Sequence, residues 1–538
     1  MHVIPDEPFP ETRWPYHAAV SSDGAWLAVV ASPSPRDGRS RVAVYRKGDL
    51  APWHFVELDH HVEVFTFHPT LPLLAIGTER GDEWEREGEL VLLEPAPRRR
   101  TSLPFPGVGV TALRWLDERR LEVTLAEPNR CYDDPGDLHT QCVAERDEWL
   151  GLEDVEGGGV EFGPRVTVED EDIHWTPAAD RPGDKLAAWA AEAGRPWGHR
   201  DAVTAVEGLR DGRTLAAHFN SSLLACRSTS GELLWSVPVP EEFLHRSGHQ
   251  MYVAPDERTA WVTVFVGDSA NRKTLLQRID LADGTVIAER RVDFPVALSA
   301  RADGAWAARD SRYLFPPAMW PPYETPVFTP TGRQLDTVAL GECDSSYHGF
   351  RIRRSPHLLF LQGIGERLFP QGYSHEPCPE KWVVKVSPAG IEPLFPLRWE
   401  KCPAGPIGGG PGVHVEDGLG PAVVHVCTTL DGAYLVRRAF PDGEIAWAHR
   451  VDATVVGVDA GAGLLHVATS ARELLTLRPE DGEVVRRRPT AVGPHVFLPR
   501  CLSVASSGEV LIGTEEGRTL VCGQEAQAPD PDPLTGRK

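Results

Sequence analysis

The chain has 538 residues, 41% of them apolar and 25% charged, which is ordinary core-forming material and excludes collagen-like, disordered and membrane-spanning classes. Acidic residues outnumber basic ones, 78 to 55, for a formal charge of −23. A surface of that sign repels phosphate, so neither nucleic acid nor a membrane is expected as a partner.

At about 150 residues per domain this length would suggest three or four domains. No window approaches the ~18 apolar residues of a membrane span. The first residues, Met1 to Glu7, lack the basic and apolar regions of a signal peptide. The nine cysteines are an odd number with no Cys-x-x-Cys, which fits reduced thiols and a cytoplasmic location.

In chain order, short apolar runs alternate with tight turns almost throughout. The first form is a turn followed by an inner strand, as in Ser22-Asp23-Gly24-Ala25-Trp26-Leu27. It recurs from Asp211, Asp303 and Asp431. Asp-Gly suits such a turn because glycine accepts positive φ without a Cβ clash. A second form joins a turn glycine to a glutamate and a tryptophan, as in Ser230-Gly231-Glu232-Leu233-Leu234-Trp235 and Asp442-Gly443-Glu444-Ile445-Ala446-Trp447. With weaker copies, the marker glycines 231, 284, 332, 390, 443 and 482 step by 53, 48, 58, 53 and 39 residues. A period near fifty with several short strands per unit predicts four-stranded propeller blades. Residues 16–58 and 62–93 read as looser units of the same kind. The segment before Tyr16 is expected to pair into the last unit, which lacks a clear fourth strand.

Several segments interrupt the pattern. Residues 145–172 are acidic, with Glu153, Asp154, Glu169, Asp170, Glu171 and Asp172 among them and only Arg146 and Arg165 opposing. They read as a solvated insertion or as a contact for a basic partner; the calcium-loop pattern is missing. Lys185–Ala193 predicts a helix with Asp184 as N-cap and Gly194 as stop. Residues 313–328 hold prolines and aromatics, and predict a stiff loop outside any ladder, with Trp320 and Tyr323 either as interface anchors or as part of a loop folded back to plug a core gap. Residues 366–382 form a second such loop, with Phe369 and Tyr373. His375 and Cys378 there fall short of the four ligands of a structural zinc site. Gly408–Gly412 reads as a flexible loop, and 403–412 as a possible boundary between two rings. Residues 524–538 read as a frayed tail.

The His68-Pro69 … Leu73-Leu74-Ala75-Ile76-Gly77 segment resembles WD-repeat propellers, and Ser230–Trp235 resembles quinoprotein-like propeller repeats. The resemblance implies an all-β fold: a β-propeller of four-stranded antiparallel blades, about seven to ten repeat units over residues 1–523, with an acidic and helical insertion at 145–199. One large ring, two smaller rings, and a seven- or eight-bladed ring with insertions all fit the spacing. Quinone enzymes of this kind carry a vicinal disulfide, and this chain has no Cys-Cys pair, so no cofactor is expected. Trp235 and Trp447 are expected to cap packing between blades. No P-loop, Gly-x-Ser-x-Gly or His-Glu-x-x-His occurs. The expected function is that of a non-enzymatic scaffold that binds proteins, basic ones among them. A hydrolase or lyase with its site in the axial funnel is the alternative, and a small-ligand sensor the third reading.

Overall fold

The computed structural model describes residues 1–523 apart from 5–8, 10–14, 32–38, 50–51, 82–85, 97, 128–137, 153–159, 170–172, 174–181, 196, 198–200, 220, 244–249, 267–272, 293–295, 311–323, 341–349, 364–380, 388, 406 and 494. Among the described residues the fold is all-β with one α-helix. There are eight four-stranded sheets, one of five strands, one of three, and a two-stranded ribbon. Two compact units divide the chain: Glu7–His199, and Arg200–Lys538 together with Met1–Asp6.

The Glu7–His199 unit holds three antiparallel sheets in up-and-down order. The first is Pro15–Val20, Trp26–Ala31, Ser40–Arg46 and Pro52–Leu58. The second is His61–Phe67, Leu74–Gly81, Arg86–Glu94 and Arg99–Pro106. The third is Gly109–Trp115, Arg120–Glu127, Leu138–Glu145 and Val166–Val168. Local chemistry sets the turns. Gly24 has φ 67°, and Asp23 Oδ1 accepts from Ala25 N at 2.9 Å. The strand that follows, Trp26–Ala31, is buried along its whole length, because both faces meet apolar neighbours. Each fully buried Val or Leu there contributes roughly 1.5–3 kcal/mol.

The acidic segment is more than a solvated insertion. Trp149, Leu152 and Val160 enter the core of the third sheet, and Val166–Val168 supplies its fourth strand. Apolar residues spaced among the acids anchor a chain that composition alone marks as solvated. The helix runs Pro182–Glu192, one turn earlier than expected. Asp184 therefore sits inside its first turn rather than at the N-cap, with proline leading the helix as its fixed φ favours. Leu186, Trp189 and Ala190 pack on Leu27, Val29 and Tyr45 of the first sheet. Gly194, with φ 69°, ends it, and Arg195 N returns to Ala190 O at 2.9 Å.

The Arg200–Lys538 unit holds seven sheets. The fourth is Val203–Gly208, Thr214–His218, Leu224–Arg227 and Leu233–Val237. The fifth is Gln250–Val253, Thr259–Val266, Lys273–Asp280 and Val286–Val292. The sixth is Val296–Ala300, Trp306–Asp310, Glu324–Phe328 and Gln334–Ala339. The seventh has three strands, Leu358–Gln362, Trp382–Ser387 and Gly390–Pro396. The eighth is Ile407–Asp417, Gly420–Thr429, Gly432–Ala439 and Ile445–Val451, with Ile352–Arg353 added in parallel at its first strand. The ninth is Val455–Gly461, Leu464–Thr469, Glu473–Leu477 and Val484–Pro489. In the tenth, Pro499–Val504, Val510–Thr514 and Thr519–Cys522 are joined by His2–Ile4, which pairs antiparallel with Thr519–Val521.

Two expectations are corrected here. Gly408–Gly412 lies in the strand Ile407–Asp417, bulged between Gly409 and Gly412. The glycines serve close packing rather than flexibility. A β-carbon on Gly409 would meet Leu361 at 2.5 Å, and one on Gly412 would meet Ile352 at 2.7 Å. Pro326 belongs to a ladder, opposite Thr337. The neighbouring strand on its other side pairs only as far as Val327, so the missing proline N–H interrupts no bond there.

One device recurs between consecutive sheets. The turn glycine before an outer strand seats against an apolar ring or chain of the sheet before it. Gly284 faces Trp235, Gly332 faces Trp261 and Gly482 faces Trp447, each with room for hydrogen only. Trp261 Nε1 donates to Pro330 O at 3.2 Å, and Trp447 Nε1 to Pro479 O at 2.9 Å. Trp235 and Trp447 thus pack between sheets as expected. Ile4 of the tenth sheet faces Gly231 of the fourth less tightly, 3.3 Å from its would-be β-carbon, and Ala505 faces Gly208 at 2.6 Å from its would-be β-carbon.

Candidate functional site

A convergence of charge lies in the Arg200–Lys538 unit, on the first strands of its sheets. A short segment, Arg351-Ile352-Arg353-Arg354, crosses there. Strand alternation sends Ile352 into the core with Phe350 and leaves Arg351 and Arg353 on the opposite face. Arg354 has φ 58°, a left-handed turn that redirects its side chain.

Glycines let the strands around this segment approach. A β-carbon on Gly457 would lie 2.7 Å from Leu502. With the ninth and tenth sheets that close, Asp459 reaches Val504 N at 2.8 Å. Asp459 is fully buried and also accepts from Arg354 Nε at 2.7 Å and Nη2 at 3.1 Å. Arg353 Nε stands 3.1 Å from its other oxygen. Arg353 Nη2 reaches Glu207 of the fourth sheet at 2.6 Å, and Ser503 Oγ donates to the same carboxylate at 2.7 Å. Burial works to raise the Asp459 pKa, yet the two guanidinium groups and the amide hold it below the usual carboxylate value. For Arg353 burial acts to lower the pKa, and Asp459 and Glu207 raise it overall. These bonds tie the fourth, ninth and tenth sheets through one charged knot. Breaking a buried pair of this kind typically costs about 3–5 kcal/mol.

Arg351 differs from its neighbours. It is half-buried, and its one hydrogen bond from the side chain goes to Met251 O at 3.3 Å. Burial first, and then the Arg353 charge, bring its pKa down to about 10.

A second polar cluster sits inside the eighth sheet. His425 is fully buried, 3.7 Å from the Cys427 thiol. Burial lowers the His425 pKa to about 3 and lifts that of Cys427 to about 12. The pair is therefore neutral, with neither a thiolate nor an imidazolium to act as a catalyst. In the Glu7–His199 unit, His61 Nδ1 lies 2.6 Å from Glu63, whose hydrogen bond raises the histidine pKa.

Of the residues proposed from sequence for partner binding, Glu169 is exposed just after Val166–Val168. Trp320, Tyr323, Phe369, Tyr373, Glu153, Asp154, Asp170, Glu171 and Asp172 lie outside the described residues, as do His375 and Cys378. Among the described residues no group of three or more His, Cys, Asp or Glu is arranged to hold a metal. The arginine knot escaped sequence reasoning because its bonded partners are 45 to 296 positions apart. The Arg351–Arg354 cluster was its visible trace. Compared with known proteins, the chain matches no family model and no curated relative.

Proposed function

We propose that the chain is a β-propeller of the WD-repeat or quinoprotein-like kind and works in the cytoplasm, without catalysis, as a platform for protein partners. The seven sheets of the Arg200–Lys538 unit read as seven blades. The shared glycine-to-ring packing and the contacts of the tenth sheet with the fourth support that reading.

The observation that carries the platform reading is an exposed apolar position that repeats from sheet to sheet, as a pair in two of them and singly in two. Leu233 and Leu234, Val286 and Ile287, Leu335, and Val485 all follow a turn glycine on the fourth strand of a sheet, and each is 38% to 53% exposed. Apolar side chains repeated in solvent on outer strands are surface for protein contact. The acidic balance of the chain favours a partner with a basic rim. An axial hydrolase would need a free acid or base, whereas Asp459 and Glu207 are both held by guanidinium groups.

Affinity purification from the native host tests the proposal, with wild type compared against Leu234→Glu/Ile287→Glu. A reproducible partner that the double variant loses, at unchanged circular dichroism, is expected. Recovery of no reproducible partner, or of the same partner by both proteins, would overturn it.

A further inference from the structure

We propose that Arg351 and Arg353 form a binding site for a small-molecule oxyanion, a carboxylate or phosphate, on the face of the segment opposite Ile352. The site is independent of the docking proposal above.

The argument begins with charge. Arg351, Arg353 and Arg354 bring three cations to one place, and the carboxylates bonded there are two, Asp459 and Glu207. Asp459 is saturated by Arg354, Arg353 and the Val504 amide. Glu207 is shared between Arg353 and Ser503. Arg351 is hydrogen-bonded to neither, though Glu207 lies close enough to act on its charge. It is half-buried beside groups of the fourth, fifth and tenth sheets, and one long bond to a carbonyl oxygen is its polar contact. A guanidinium carries five N–H donors in a planar fork and remains charged. Taking such a group even partly from water without an anion bonded to it is costly. A planar or tetrahedral oxyanion supplies acceptors in the geometry the fork presents.

Specificity follows from the surroundings. Strand alternation places the Arg353 guanidinium on the same face, two residues away. An anion at Arg351 therefore meets a second cation whose own carboxylate, Glu207, competes for it. The Cys501 thiol, close enough to Arg351 to act on its charge, has its pKa raised to about 12 by burial, so it stays protonated and adds no negative charge. The rest of the chain is strongly acidic, so this local excess of positive charge selects a compact anion over an extended polyanion.

Isothermal titration of the full chain with inorganic phosphate and, separately, with succinate at low ionic strength tests the site. Saturable binding of at least one anion is expected. Arg351→Met should weaken it at least tenfold. Glu207→Gln should tighten it several-fold, because the competing carboxylate is gone; a merely structural role for these residues predicts no such gain. Absence of saturable binding in wild type, or binding that Arg351→Met leaves unchanged, overturns the proposal. Should Arg351→Met fail to fold, the Glu207→Gln arm decides alone: tighter binding supports the site, and equal or weaker binding overturns it.

Discussion

The indole of Trp447 lies directly over Gly482, so that a β-carbon there would stand 2.7 Å from the ring. The glycine also holds φ 71°. Two costs therefore fall on one substitution. Gly482→Ala should lose about 2–5 kcal/mol, from left-handed strain of about 1–2 and overpacking of about 1–3. Gly463→Ala is the control: φ is 76°, but nothing lies within 4 Å, so the strain alone remains. Urea midpoints of the two variants check the difference.

Asp459 predicts a second, larger loss. Asp459→Ala leaves two guanidinium groups and an amide without their shared acceptor, and should cost about 3–5 kcal/mol. The carboxyl pKa is lowered in the native state, so its contribution is full above the unfolded value near 3.8 and is lost as pH falls through the native value. Asp459→Asn should therefore flatten the acid limb of a stability-against-pH curve below about pH 4. An unchanged acid limb would count against the knot as drawn.

His425, fully buried, and His466, half-buried, act at milder pH. His425 titrates at about 3 and His466 at about 4, both lowered chiefly by burial. The unfolded chain takes up these protons near 6.5, so between 6.5 and the native values it binds more protons than the folded chain. Stability then falls with falling pH, by ~1.4 kcal/mol per unit for each histidine. His425→Gln should show a shallower loss between pH 7 and pH 5 in urea unfolding, whatever its stability at pH 7.

Cysteine reactivity gives a fourth measurement. The Cys427 and Cys501 thiols are both pushed up to about 12 by burial. Neither should be alkylated by iodoacetamide at pH 8 in the native protein, and both should react once it is unfolded in urea. Peptide mass spectrometry reads each site. Prompt native labelling of Cys427 would show that the core of the eighth sheet is open.

Trp149 tests the acidic segment. Its ring is buried against Trp115, and Nε1 donates to Arg119 O at 3.2 Å. Trp149→Ala should cost about 3–5 kcal/mol, as a large core truncation does, and lower the melting temperature. A wholly solvated insertion would tolerate the change within about 0.5 kcal/mol.

What could be read from the sequence was what local chemistry decides. Asp23-Gly24 and Ser230-Gly231 announce turns, and the apolar runs after them announce strands, because turn geometry and side-chain alternation act over a few residues. The tryptophans of the second motif were legible as packing residues for the same reason. Val166–Val168 was not, since three residues carry too little periodicity to stand out among acids. Gly408–Gly412 misled because glycine marks both freedom and close approach, and only Leu361 and Ile352, brought near by the fold, distinguish the two. The bond between Glu207 and Ser503 spans 296 positions, and no spacing rule reaches that far.

His2–Ile4 is the fourth strand of a sheet whose other strands end at Cys522. Synthesis from the N-terminus therefore makes this strand long before its partner. At roughly 5–20 residues per second, His2–Ile4 waits about half a minute to two minutes for Thr519–Val521 to leave the ribosome. Through that interval Ile4 and the apolar flank of Val203 have no mutual cover. Until Thr519–Cys522 arrives, that edge of the nascent chain is open to misassembly.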